Sequence, residues 1–148
     1  MKIKISIAVL FLFCSCKNQD KQAEGLFSPA EKEVEQISSS PENFSPGKKV
    51  YTNFCVQCHL PNGEGIPNIY PPLANSDWLT EKRKESIHAV KYGLRGEIQV
   101  NGKTYNNIML PLGLSDQEIA DVMNYVMNSW GNTQQKPVTV EEVSAIDE

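Results

Sequence analysis

Apolar and polar positions along the chain change pattern several times, and each change marks an element. Residues 5–13 form an apolar run interrupted only by Ser6, and residues 17–44 are polar. At Ser45 helical spacing begins. Gly47, Val50, Tyr51 and Phe54 fall near one face, and Ser45 then Pro46 reads as an N-cap followed by a first helical residue. A helix is therefore expected over 46–55. Pro61, Asn62, Gly63, Gly65, Pro67, Pro71 and Pro72 forbid long regular structure over 60–73. A second helix is expected over 80–92, stopped by Gly93. In "IQVNGKTY", Asn101-Gly102 joins two short β-prone runs, a strong hairpin signal. "LSDQEIADVMNYVMNSWGN" opens with a capping box, Ser115 and Glu118, and carries an apolar stripe of Ile119, Val122, Met123, Val126 and Trp130 before Gly131. The pattern describes an all-α domain of three to four helices with a short β-hairpin. That is few apolar helices for the length, as if a bulky group filled the middle.

The chain has 148 residues and is 40% hydrophobic, enough for one domain with a modest core. Its first residues change the picture. Lys2 and Lys4 precede an apolar run too short to span a bilayer, which reads as an export signal over residues 1–15. Ser15 directly before Cys16 suits lipoprotein processing, with Cys16 as the acylated residue; Cys14, behind Phe13, suits it less. Residues 16–44 then read as a flexible tether, 45–132 as the folded domain and 133–148 as a polar acidic tail. The expected location is the periplasmic side of a membrane, lipid-anchored. Without residues 1–15 the chain has 12 basic and 18 acidic residues. Residues 45–131 hold 8 of each, so the domain is neutral and no basic surplus argues for nucleic acid.

Of four cysteines, Cys14 falls in the signal and Cys16 is the acylation site, which leaves Cys55 and Cys58 in "CVQCH". Two thiols and an imidazole in five residues could hold zinc, form a redox disulfide or anchor a haem. Structural zinc takes four protein ligands and catalytic zinc three plus water. The one other histidine, His88, sits in the charged "KRKESIHAV" run, and the βαβ setting of a thioredoxin-like pair is absent. Cys-x-x-Cys-His is the spacing of c-type haem attachment. Two thiols on one helical turn can add across two vinyl groups, and His59 then supplies a nitrogen to the iron from below. Met109, Met123, Met127 and His88 are candidates for the other face. Met123 and Met127 lie on the last expected helix and read as core, and His88 as an exposed helix residue. Met109 lies in the irregular "YNNIMLPLG" and can wrap over a haem face.

Over residues 45–132 these features resemble the class I c-type cytochromes. The attachment motif near the start, a methionine loop and "LSDQEIADVMNYVMNSWGN" all match. The resemblance implies a small cytochrome c fold around one covalent haem c, with its iron held by His59 and Met109. It implies Gly47 and Tyr51 crossing Val122 and Tyr125. "YPPL" resembles the family's Pro-x-Leu, which would set the Pro71 carbonyl on the His59 ring N–H and orient the imidazole. The hairpin before Met109 resembles cytochrome domains beside or fused to periplasmic quinoprotein dehydrogenases and copper nitrite reductases. The sequence departs in "MLPLG", where Leu110 separates Met109 from Pro111; many relatives have Met directly before Pro. His and Met together fill both axial positions and raise the reduction potential relative to two nitrogens. The expected function is one-electron transfer between redox partners (oxidase, reductase or dehydrogenase), without catalysis. Two alternatives are an electron-outlet subunit of a dehydrogenase or reductase, and a ligand-binding haem sensor.

Overall fold

A computed structural model describes residues 44–148. The expected signal, Cys16 and nearly all of the tether lie outside these residues. Six helices and one hairpin follow in order: α1 (Ser45–Phe54), α2 (Val56–His59), α3 (Asp77–Glu81), α4 (Arg83–Tyr92), β1 (Ile98–Val100), β2 (Lys103–Tyr105), α5 (Asp116–Val126) and α6 (Val140–Ser144).

The crossing of α1 on α5 is the backbone of the domain. Gly47 makes it possible: a Cβ there would lie 2.6 Å from the Asp121 carbonyl carbon and 2.8 Å from Tyr125 Cβ. Glycine lets the two helices approach backbone to backbone. Val50 and Tyr51 of α1 then join Ile119, Ala120, Val122, Met123 and Val126 of α5 in one buried cluster. The capping box of α5 forms as its sequence dictates: Glu118 N–H donates to Ser115 Oγ at 3.3 Å, and Ser115 N–H donates to Glu118 Oε2 at 2.9 Å.

The structure corrects three details of the helices. Phe44, not Ser45, takes the cap position of α1; Ser45 is the first helical residue and Pro46 the second, where a missing N–H still costs no intrahelical bond. The helix expected over 80–92 is two. Ser76 caps α3, and the backbone of Lys82 (φ −118°, ψ 50°) breaks the run before α4. That bend lets Trp78 and Leu79 wall the same cleft as Ala89 and Val90. Helix α5 stops at Val126, so Trp130 is not on its stripe. At φ 51° Trp130 turns its ring against Gly63, tilted against Tyr51 and edge-on to Tyr125, with centroids 4.9 and 5.4 Å away.

Residues 133–148 are the largest correction. The sequence reads here as a polar acidic tail outside the folded domain, yet Val138, Val143 and Ile146 are buried in the main core. Three well-spaced apolar residues suffice to seat the segment. Arg83 fastens it by donating to Glu142 Oε1 and Oε2 at 2.7 and 2.8 Å, to the Pro137 carbonyl at 3.1 Å and to Gln134 Oε1.

The hairpin has the expected turn. Asn101 and Gly102 both take positive φ (51° and 71°), which matches the twist of paired strands. Ile98 pairs Tyr105 and Val100 pairs Lys103. Asp77 anchors the turn reciprocally: Asp77 N–H donates to Asn101 Oδ1 at 3.0 Å, and Asn101 N–H to Asp77 Oδ1 at 2.8 Å.

Candidate functional site: an apolar cleft beside the Cys-x-x-Cys-His turn

Cys55 ends α1, and residues 56–59 form the single turn α2, closed by His59 N–H donating to the Cys55 carbonyl at 2.9 Å. Both thiols are free and half-buried. Burial first, and the neighbouring Cys58 second, push the Cys55 thiol up to about 11, so it is protonated at neutral pH. The chain reverses immediately after His59. Leu60 takes φ 62° and ψ 163°, a region that glycine normally occupies, and its carbonyl accepts from the Tyr51 hydroxyl at 2.6 Å.

His59 Nδ1 lies 3.0 Å from the Pro71 carbonyl. As a donor to that carbonyl, Nδ1 is occupied and the ring orientation fixed, leaving Nε2 for a ligand. Burial lowers the His59 pKa, so the neutral, lone-pair-bearing imidazole is favoured; the Pro71 bond pulls in the opposite direction. Gly65 keeps that arrangement close, since a Cβ there would lie 2.6 Å from the Pro71 carbonyl oxygen.

Met109 is reached from the other side of the domain. It forms an isolated antiparallel pair with Leu94: Leu94 N–H donates to the Met109 carbonyl at 2.8 Å, and Met109 N–H to the Leu94 carbonyl at 3.0 Å. Gly93 permits this contact, because a Cβ there would sit 2.6 Å from the Met109 oxygen. Its backbone (φ 88°, ψ 175°) is one that only glycine adopts without strain. Sequence marked Gly93 as a helix stop; its role against Met109, and Leu94 as partner, arise from chain reversal and have no local signal.

His59 and Met109 both line a cleft with two lobes. The larger holds about 650 Å³ up to its open mouth and the smaller about 460 Å³. The two lobes share His59, Pro71, Leu94, Ile98 and Met109, so they form one continuous apolar cleft around the imidazole and the thioether. Cys55 lies on the larger lobe and Cys58 on the smaller. The walls are apolar: Leu73, Leu79, Val90, Leu94, Ile98, Val100, Val122, Met123 and Val126 contribute to the larger lobe. Met123 is thus both core and cleft wall, at 1% exposure, while Met127 is buried away from it against Arg83. His88, expected to be exposed, is half-buried on α4 with its ring tilted against Tyr92 at 5.3 Å, and it lines neither lobe. Among the described residues no three His, Cys, Asp or Glu side chains are grouped to hold a bare metal ion. The cleft fits an apolar macrocycle with an imidazole and a thioether available to its metal and two thiols at its side.

Comparison with known proteins agrees with this geometry. The family model "Cytochrome c" matches residues 44–130. The chain is 39% identical over 109 residues to cytochrome c-552 of Thermus thermophilus, spanning 68% of this chain and 82% of that one. It is 31% identical over 105 residues to the cytochrome c subunit of the quinone alcohol dehydrogenase of Gluconacetobacter polyoxogenes, and 32% identical over 109 residues to the gluconate 2-dehydrogenase cytochrome c subunit of Pantoea cypripedii. Those matches cover 68% of this chain but only 22% and 23% of the two subunits. The chain therefore belongs to the cytochrome c family, whose members hold haem c covalently and transfer electrons.

Proposed function

We propose that this protein is a monohaem electron carrier in which Cys55 and Cys58 form the two thioethers, His59 and Met109 hold the iron, and Pro71 orients His59. One observation carries the assignment: His59 and Met109, fifty residues apart, line the same apolar cleft, with a thiol on each lobe. Haem c, when bound, supplies the one-electron Fe(III)/Fe(II) couple. The residues do the rest. The Pro71 bond keeps the imidazole in one tautomer, the Leu94 pairing holds Met109 in place, and the aliphatic walls exclude water, which limits reorganisation between redox states. Ile69 and Ile108 flank the smaller lobe beside Cys58 at 46% and 52% exposure. This apolar rim is the surface through which electrons would reach a redox protein partner.

The test is spectroscopic. Oxidised holoprotein should show the near-infrared sulfur-to-iron band, and its reduced form should not bind carbon monoxide. Met109→Ala should remove the band, lower the potential and admit carbon monoxide, while Met127→Leu changes none of these. A band that survives in Met109→Ala reassigns the ligand and reopens the sensor reading.

The location belongs to the same proposal. The run over residues 5–13 followed by Ser15-Cys16 supports export and acylation at Cys16. About 28 polar residues separate Cys16 from the domain, and as a flexible coil they would reach roughly 30 Å on average. That span suits a carrier swinging between neighbouring membrane complexes. Wild-type protein should enter the membrane fraction and leave it with detergent but not salt; Cys16→Ser should abolish acylation and spare the haem spectrum. Soluble wild-type protein with an N-terminus beyond Cys16 would replace the tether by free diffusion. A second reading, an electron-outlet subunit, draws on the likeness to the two dehydrogenase subunits. Co-purification with a dehydrogenase after mild detergent extraction would favour it.

A further inference from the structure

Between Met109 and segment 138–146 runs a short chain of contacts that haem binding alone does not require. Lys91 and Tyr92 are the last two residues of α4. Lys91 Nζ donates to the carbonyls of Val143 at 2.9 Å and Ser144 at 3.5 Å, the last two of α6, and to that of Ile146 just beyond it at 3.2 Å. The Tyr92 hydroxyl donates to the Ile146 carbonyl at 3.0 Å. Lys91 also stands 3.7 Å from Asp116, the first residue of α5, with its own side chain 16% exposed. A cation on the final carbonyls of a helix is favourably placed, and here it ties α4, α5 and α6 at one point. The next two residues are Gly93, against the Met109 carbonyl, and Leu94, hydrogen-bonded to Met109 in both directions.

We propose that the α6 segment braces the methionine loop, with Lys91 and Tyr92 as positioning residues that hold the end of α4, and through it Leu94, in the register Met109 needs. The proposal rests on Met109 being the sixth ligand. Freed of α6, the end of α4 can fray, and the Leu94–Met109 pair loosens before the rest of the domain does. The brace thus sets how often Met109 leaves the iron, not merely how stable the fold is.

The experiment follows imidazole binding to oxidised full-length holoprotein, which requires Met109 to depart, in wild type, Lys91→Met and Tyr92→Phe. Val50→Ala, in α1 and off this path, serves as a control for global stability. Losing the bonds of one positioning residue should speed imidazole binding about three- to tenfold, more for Lys91 than Tyr92. Amide exchange at Leu94 and Met109 should accelerate in parallel, and Val50→Ala should leave both within about twofold. Rates unchanged in both variants, or an equal acceleration in Val50→Ala at equal loss of unfolding free energy, would overturn the brace. Imidazole binding that is as fast in wild type as in Met109→Ala removes the ligand assignment and the brace with it. A ligand band in wild type with unchanged rates in both variants overturns the brace alone and leaves the ligand assignment standing.

Discussion

Gly93→Ala isolates the contact that positions the methionine loop. Two costs arise at this one atom. The backbone at φ 88° and ψ 175° lies where an L residue is strained by about 1–3 kcal/mol. The new Cβ would also lie 2.6 Å from the Met109 oxygen, 3.0 Å from Pro111 Cδ and 3.1 Å from Pro111 nitrogen, an overpacking of about 1–3 kcal/mol. Against this stand the two Leu94–Met109 hydrogen bonds, worth about 0.5–1.5 kcal/mol each. The strain of about 2–6 kcal/mol matches or exceeds what holds the loop locally, whereas the buried core of α1, α5 and α6 lies elsewhere. The loop should therefore shift before the domain unfolds. Holoprotein carrying Gly93→Ala should lose most of its near-infrared band, show a lower potential and bind carbon monoxide when reduced, with its helical circular dichroism retained. A folded variant with an undiminished band and unchanged potential would refute the argument, since the loop would have absorbed the Cβ without moving.

Two further outcomes follow from the packing of α1. Gly47→Ala gains about 1 kcal/mol of helix propensity but sets a Cβ against the Asp121 backbone at a cost of up to about 3 kcal/mol, so denaturant unfolding should show a net loss of up to about 2 kcal/mol; a stabilised variant would mean that α1 and α5 do not touch there. Burial above all raises the Tyr51 pKa above the usual phenol value near 10; the charge of Cys55 adds to this only while its sulfur is a free thiol, and that of Tyr125 adds further. The folded state therefore keeps a proton that the unfolded state loses above about pH 10, and stability falls as pH rises through that range. Tyr51→Phe should flatten this alkaline slope and cost about 1 kcal/mol at neutral pH through the lost bond to Leu60, measured by unfolding at several pH values; an unaltered slope excludes Tyr51 as its source.

Much of this protein could be read from its sequence because the relevant physics is local. Asn101-Gly102 had to turn a hairpin, since both residues accept positive φ. Ser115 and Glu118 had to start a helix, since each satisfies the other's backbone N–H. Cys55, Cys58 and His59 share one helical turn whatever surrounds them, so their chemistry was legible at once. What the sequence left open depends on distant partners. Whether Lys82 breaks a helix is decided by the cleft that Trp78 and Leu79 must face, and whether Trp130 continues α5 by a glycine near residue 60. Residues 133–148 are acidic in composition, yet three apolar side chains and the reach of Arg83, Lys91 and Tyr92 fold them onto the core. Met109 stands out in the sequence as a methionine in a loop, but its placement comes from Gly93 and Leu94, sixteen and fifteen residues earlier. Short-range hydrogen bonding and periodicity are written in neighbouring residues; close approach between separated backbones is fixed only when the chain has folded.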